Sequence, residues 1–272
     1  MADSMQFAGS IPEIYDRILG PLQFTPYAQD LVPRLPLAGA RDVLEVACGT
    51  GLVTGPLRAA LPPSALLTAT DISDGMLAYA QRNLGPTTPP ITWQVADMTA
   101  LPFPSASFDL VVMQFGLMFV PEPLVAIRDA RRVLRPGGHY VTSTWQSHAF
   151  NPAPRILQAT IDRLYPVDPP AFFTVPFRLH DQAQLHDWCV AAGFERVTVQ
   201  PVGLVGQIAS ARLAAEGFIF GTPASAGILQ RETVPIADVV DAATAALEAE
   251  FGTGPISIPL RTLLVEAHAP AT

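Results

Sequence analysis

"VLEVACGTG", residues 43–51, is an apolar run holding one acid, Glu45, that stops abruptly at Cys48-Gly49-Thr50-Gly51. A buried strand breaking into a tight turn ahead of a helix reads this way. The same rhythm continues downstream: "ALLTATD" and a helical pattern from Ser73 to Asn83, then "ITWQVAD". Next come "FDLVVMQ" with a helix from Pro123 to Leu134, and "GGHYVTSTW". Strands alternating with helices predict an α/β fold with a doubly wound, mostly parallel sheet. The strands are continuously apolar and not alternating, which predicts helices on both faces.

Outside this run the pattern changes. Upstream, "IPEIYDRILGPLQFTPYAQDLVPRL" reads as one or two amphipathic helices interrupted at Gly20-Pro21, so that residues 1–40 form a helical cap on a core of 41–272. Past Trp145 a loop-rich stretch is expected over about 146–180, with Phe150, Phe172, Phe173 and Phe177 in it. A helix "DQAQLHDWCVAAG" and a strand "RVTVQPVGLVG" resume the pattern, a mostly helical segment follows over 207–258, and "LRTLLVEAHA" closes the chain as a strand. The two departures, 146–180 and 207–258, read as lid or substrate-binding insertions.

Composition narrows the function. With 272 residues and 49% hydrophobic content the chain can bury a substantial core. The formal charge of −8 argues against a nucleic-acid partner, which needs clustered Lys and Arg. The one dense basic stretch, "RDARRVLRPGG", is expected on the solvated end of a helix. Cys48 and Cys189 have no disulfide or metal-ligand spacing, so no metal is expected. The longest apolar candidate, "LVVMQFGLMFV", is too short for a membrane span, and "MADSMQFAGS" has no signal-peptide features. A cytoplasmic location is the default, and the oligomeric state stays open, a homodimer included.

In an open parallel sheet, ligands bind outside the carboxyl ends of the strands. Those ends hold Cys48 to Gly51, Asp71-Ile72, Asp97-Met98, Gln114 to Gly116 and Trp145 to His148. The dinucleotide fingerprint G-x-G-x-x-G fails at its third glycine, where Thr54 stands, and Glu45 would repel phosphates while suiting an ammonium. Asp71, 20 residues beyond Gly51, can accept from both hydroxyls of a ribose. Asp97-Met98 can take an exocyclic amine while covering an aromatic ring. An ammonium, a ribose, an adenine and no phosphate together describe S-adenosylmethionine.

The stretches "VLEVACGTG", "TATDISDGML", "VADMTALPFPSASFDLVVMQFGLMFVPEP" and "RVLRPGG" also resemble, in order and spacing over about residues 41–145, those of class I S-adenosylmethionine-dependent methyltransferases, in particular the ubiquinone/menaquinone-biosynthesis-like small-molecule group. The resemblance implies a Rossmann-like fold with N-terminal helices and a lid. It implies that Glu45, Ala47, Gly49 and Gly51 line the methionine moiety, and that Asp71 holds the ribose with Ile72 and Met76 against the adenine. Asp97 and Met98 would take the adenine edge, and Gln114 and Phe115 would stand beside the sulfonium. Relatives often carry a histidine pair or an asparagine-rich turn after the fourth strand, where this chain has "QFGLMF".

Tyr15 and Tyr27 are candidates to close over the cofactor. His148, after the fifth strand, is the candidate base or substrate contact, needed only if the nucleophile must lose a proton. Phe119, Phe150, Phe172, Phe173, Phe177, Phe218 and Phe220 would line an apolar acceptor pocket, which favours a small hydrophobic molecule. The competing classes are a nicotinamide-dependent oxidoreductase and a non-catalytic cofactor-binding scaffold subunit.

Overall fold

A computed structural model describes Gly9 and residues 11–272; most of the "MADSMQFAGS" segment lies outside the described residues. The chain opens with α1 (Ile11–Ile14), wide π-type turns over Tyr15–Phe24 and α2 (Thr25–Leu31). There follow β1 (Asp42–Val46), α3 (Thr54–Ala60), β2 (Leu66–Asp71), α4 (Asp74–Leu84), β3 (Ile91–Val95), β4 (Phe108–Gln114), α5 (Pro123–Val133) and β5 (Leu134–Trp145). Then come α6 (Pro152–Leu164), α7 (Gln182–Ala191), β6 (Glu195–Ile208), α8 (Ala211–Phe220), α9 (Ala224–Leu229), α10 (Ile236–Phe251) and β7 (Ile256–His268).

Seven strands form one sheet in the order β3-β2-β1-β4-β5-β7-β6. The first five pair in parallel and β7 runs antiparallel to β5. Val43, Leu44, Leu67, Leu110, Val111 and Val112 are essentially inaccessible, as expected of central strands covered on both sides. Side chains start the helices where the pattern predicts: Ser73 Oγ accepts from Met76 N at 3.3 Å, and Asp181 Oδ1 from Ala183 N at 2.9 Å.

Two compact units divide the chain. One gathers the described residues up to Tyr27, Ser147–Arg178 and Gly203–Arg261; the other gathers Ala28–Gln146, Leu179–Val202 and Thr262–Thr272. The second unit holds the strand ends from β1 to β5.

Three expectations are corrected. Gly20-Pro21 does not interrupt the N-terminal helix: Pro21 sits inside the π-type turns, whose wider winding accommodates a ring without an N–H, while Ile18, Leu19, Leu22 and Phe24 bury one face through it. The stretch 146–180 is not chiefly loop, because α6 fills Pro152–Leu164; its Pro152 and Pro154 fall in the first turn, where the missing N–H groups have no helical partner anyway. The expectation of a merely solvated run for "RDARRVLRPGG" is corrected in part: Arg128 is exposed, whereas Arg132 and Arg135, though partly exposed, also act as ties. Arg132 donates to Asp129, to Leu101 O at 2.8 Å and to Phe103 O at 2.6 Å. Arg135 bridges Asp42 and Asp109, each at 2.8 Å, clamping the amino ends of β1, β4 and β5. Asp109 is partly desolvated, yet Arg135 and the amides of Asp42 and Arg41 hold its carboxyl below the usual range.

The turn from α3 into β2 depends on one more arginine. Arg58, buried at the end of α3, donates to Ala65 O at 2.7 Å, Pro62 O at 2.9 Å and Leu61 O at 3.4 Å. Removing the donor strands several carbonyls, so Arg58→Met is expected to lower unfolding free energy by about 3 kcal/mol. Urea titration reads this directly; a loss under about 1 kcal/mol would mean that water re-pairs the carbonyls.

Candidate functional site

Strand order reverses between β1 and β4, which pair with Glu45 opposite Val112, so a crevice opens at their carboxyl ends. The backbone there is unusual. Gly49 (φ 56°) and Gly51 (φ 87°) lie in the left-handed region, and so do two non-glycine residues, Ala47 (φ 55°) and Phe115 (φ 58°). Such conformations cluster at ligand sites because the surroundings must hold them. At Gly49 a side chain would meet nothing within 4 Å, so conformation alone requires glycine. At Gly116 an added Cβ would stand 2.5 Å from the Ala47 Cβ, so the β1 and β4 turns touch.

Asp71 joins the two halves of the crevice floor. Its Oδ2 accepts from Gly49 N at 2.8 Å and its Oδ1 from Ser73 N at 2.9 Å. Burial raises its pKa, and these amides pull it back. Both oxygens keep lone pairs for hydroxyl donors. Beside it, Ile72 is 68% exposed while Met76 is buried, an apolar shelf at the end of β2. Asp97 is exposed; its Oδ1 accepts from Thr99 N at 2.8 Å and Thr99 Oγ1 at 2.7 Å, which fixes the turn and leaves Oδ2 outward. Met98 reaches to 3.3 Å from the position of a Gly116 Cβ. Gln114 ends β4 half-buried, and Phe119 is half-buried on the short turn Leu117–Phe119.

Glu45 is 2% exposed and its Oε2 has no hydrogen-bond partner. Burial pushes its carboxyl up to about 8, the Thr54 hydroxyl partly offsets this, and Asp71 adds to it. A buried acid with an orphan oxygen, in a turn of glycines facing a second carboxylate, suits a ligand that brings its own cation. The chemistry of this donor set, two buried carboxylates beside a glycine turn with no phosphate-binding fingerprint, therefore fits S-adenosylmethionine, a cation without phosphate. Cys48 in the same turn is no nucleophile, since burial and then Glu45 and Asp71 push its thiol well up. Among the described residues no His, Cys, Asp and Glu group is arranged for a metal ion, and no helix is long and apolar enough to cross a membrane.

The sequence places Trp145 at a strand end without a role, and Thr54 only as a failed glycine; in the fold Thr54 is fully buried, and its hydroxyl, like Glu45 Oε2, has no hydrogen-bond partner. Trp145 stacks on Phe115 with centroids 4.3 Å apart and planes 11° from parallel. Strand-end position was the available signal for Trp145.

The remaining candidates lie in the first unit. Tyr15 stacks on Phe24 at 4.5 Å, and Tyr27 is buried. His148 Nε2 stands 2.8 Å from Phe173 O, so this nitrogen carries the hydrogen, and the ring tilts against Phe177 at 4.6 Å. Phe173 packs edge-on against Phe172 and Phe218. Phe173, Phe177 and Phe218 are buried, Phe172 and Phe220 half-buried, and Phe150 exposed under the Arg261 guanidinium.

A methyltransferase-domain family model matches residues 44–142, the stretch that builds the crevice. The demethylmenaquinone methyltransferase of Renibacterium salmoninarum is 31% identical over 191 residues, 66% of this chain and 77% of that enzyme. The malonyl-[acyl-carrier protein] O-methyltransferase of Hahella chejuensis is 39% identical over 104 residues, and there the chain spans only 36% of the relative's length. Among solved structures, phosphoethanolamine N-methyltransferase 2 of Haemonchus contortus superposes with a TM-score of 0.61 at 15% identity, over 95% of this chain and 57% of that one, a likeness of fold alone. The Renibacterium match extends well past the crevice into most of both chains, and it makes this protein a member of the class I S-adenosylmethionine-dependent methyltransferases, among the relatives of the ubiquinone/menaquinone-biosynthesis enzymes.

Proposed function

We propose that this methyltransferase acts on a small, largely hydrophobic acceptor carrying a flat ring, of the kind that the name of its menaquinone-pathway relative describes. The observation that supports an apolar acceptor is the phenylalanine set of the first unit, in which Phe150 is exposed and Phe172 and Phe220 are half-buried. The relatives differ in the atom they methylate, so the choice among O-, N- and C-methylation belongs to the residues outside 44–142.

S-Adenosylmethionine supplies a methyl group on a sulfonium whose departure leaves a neutral thioether. The chain's contribution is then binding, alignment and exclusion of water. Asp71 and Asp97 orient the nucleoside, and Glu45 with Gly49 and Gly51 receives the amino-acid end. Gln114 and Phe115 border the reacting end. The first unit's phenylalanines favour an apolar acceptor. His148 takes a proton where the acceptor has one to lose.

Calorimetric titration with S-adenosylmethionine, S-adenosylhomocysteine and NADH tests the cofactor. Both sulfur ligands are expected to bind and NADH is not. Asp71→Asn keeps the bulk but weakens charge-assisted acceptance, with an expected loss of about tenfold or more in affinity. Binding of NADH alone would return the chain to the oxidoreductase class.

A second expectation concerns pH. The Glu45 carboxyl titrates in its ordinary range near 4.5 when unfolded and at about 8 when folded, so the ligand-free folded chain holds an extra proton between these values. Its contribution to stability therefore falls as pH rises from 5 to 8, by about 1.4 kcal/mol per unit at most. Glu45→Gln should flatten that slope in chemical unfolding curves, and an unchanged slope would remove Glu45 as its source.

Once an acceptor is identified by screening hydrophobic ring compounds, His148→Ala is expected to cost about 100-fold in kcat. A variant with full kcat would reduce His148 to a structural tie.

A further inference from the structure

The turn after β4 is held in a conformation that its own sequence disfavours. Phe115 is a bulky residue at φ 58°, in the left-handed region where L side chains crowd their own backbone. Gly116 follows with no room for a side chain: its Cβ would meet Ala47 Cβ at 2.5 Å, Met113 Cγ at 3.1 Å and Met98 Cε at 3.3 Å. The turn is thus wedged between the end of β1 and the loop after β3, and Ala47, on the other side of the wedge, is itself left-handed. Strain of this kind persists only where neighbours over-determine it.

Two neighbours do so at Phe115, and both belong to β5. The Phe115 N–H donates to Ser143 O at 3.0 Å, and the Phe115 ring lies face to face with the indole of Trp145. Trp145 is 4% exposed and Phe115 7%, so the stack is buried. A buried aromatic stack and a left-handed non-glycine residue have energies of the same order and opposite sign. The backbone bond to Ser143 survives any side-chain change at 145, which leaves the indole as the removable part of the clamp.

We propose that Trp145 is a positioning residue for methyl transfer: by stacking on Phe115 it fixes the turn whose backbone and ring border the sulfonium end of the cofactor. This rests on the cofactor reading given above. Its consequence is selective, because the two sulfur ligands differ only at that end. S-Adenosylmethionine carries a methyl and a positive charge on sulfur, and S-adenosylhomocysteine carries neither. Carbonyl dipoles and an aromatic ring held at the right place favour the cation, and their displacement should be felt by one ligand and not by the other.

The test compares the two affinities by calorimetry in wild type, Trp145→Leu and Trp145→Phe, with circular dichroism as the check on folding. Trp145→Leu keeps apolar bulk and loses the stack; S-adenosylmethionine is expected to weaken about tenfold and S-adenosylhomocysteine less than about twofold. Trp145→Phe restores a stacking partner and should return both affinities to within about twofold of wild type. Should Trp145→Leu fail to fold, Trp145→Met, which keeps flexible apolar bulk without a ring to stack on Phe115, carries the same expectation. Equal weakening of both ligands, or no change in either, overturns the positioning role while leaving the cofactor reading intact. Wild type that binds neither ligand overturns both.

Discussion

The carboxylate of Asp71 is the joint on which the candidate site turns. One oxygen takes the amide of Gly49 and the other that of Ser73, so a single side chain at the end of β2 fixes the glycine turn after β1 and the entry to α4. Both amides sit where a helix or turn leaves donors without partners, and an anion is the natural answer to that local field. The cost is a second acid: Glu45 is buried beside a carboxylate already in place, and its orphan oxygen records the cost. A ligand bearing an ammonium relieves what the protein alone leaves unrelieved. Affinity and electrostatic strain are in this sense the same quantity seen with and without ligand.

The parallel core was legible because its signals are local. "DVLEVA", "ALLTATD" and "FDLVVMQ" are apolar runs bounded by turn residues, and β1, β2 and β4 begin and end within a residue or so of them. Asp71 and Asp97 were legible because the rule for parallel sheets points at strand ends. What escaped depends on partners distant in sequence. Arg132 and Arg135 look like a solvated basic run until Leu101, Phe103, Asp42 and Asp109 are brought beside them. Pro152 and Pro154 suggest a loop because proline is read as a breaker, although in a first helical turn it breaks nothing.

The same contrast separates the two halves of the function. The proposed cofactor site uses backbone geometry and short-range turn chemistry, which a few residues encode within the stretch 44–142 that the family model matches. The proposed acceptor site uses apolar side chains whose meaning depends on which are buried by their own neighbours. Phe173, Phe177 and Phe218 pack among themselves, and composition could not separate them from Phe150, which lies open under Arg261. The histidine candidate has the same ambiguity: a ring tied by one nitrogen to a carbonyl is held for its own fold and for proton transfer in the same gesture.

The sheet is completed from its far end. β5 is finished at Trp145, but its second edge is covered by β7, with Trp145 opposite Thr262 and His139 opposite His268. More than a hundred residues must leave the ribosome between the two, and throughout that interval β5 shows an unpaired row of amides and carbonyls. The nascent chain therefore carries a ready template for wrong pairing until β7 emerges. Translation pauses, chaperone occupancy and truncation products should matter more for the yield of this protein than the stability of the finished fold suggests.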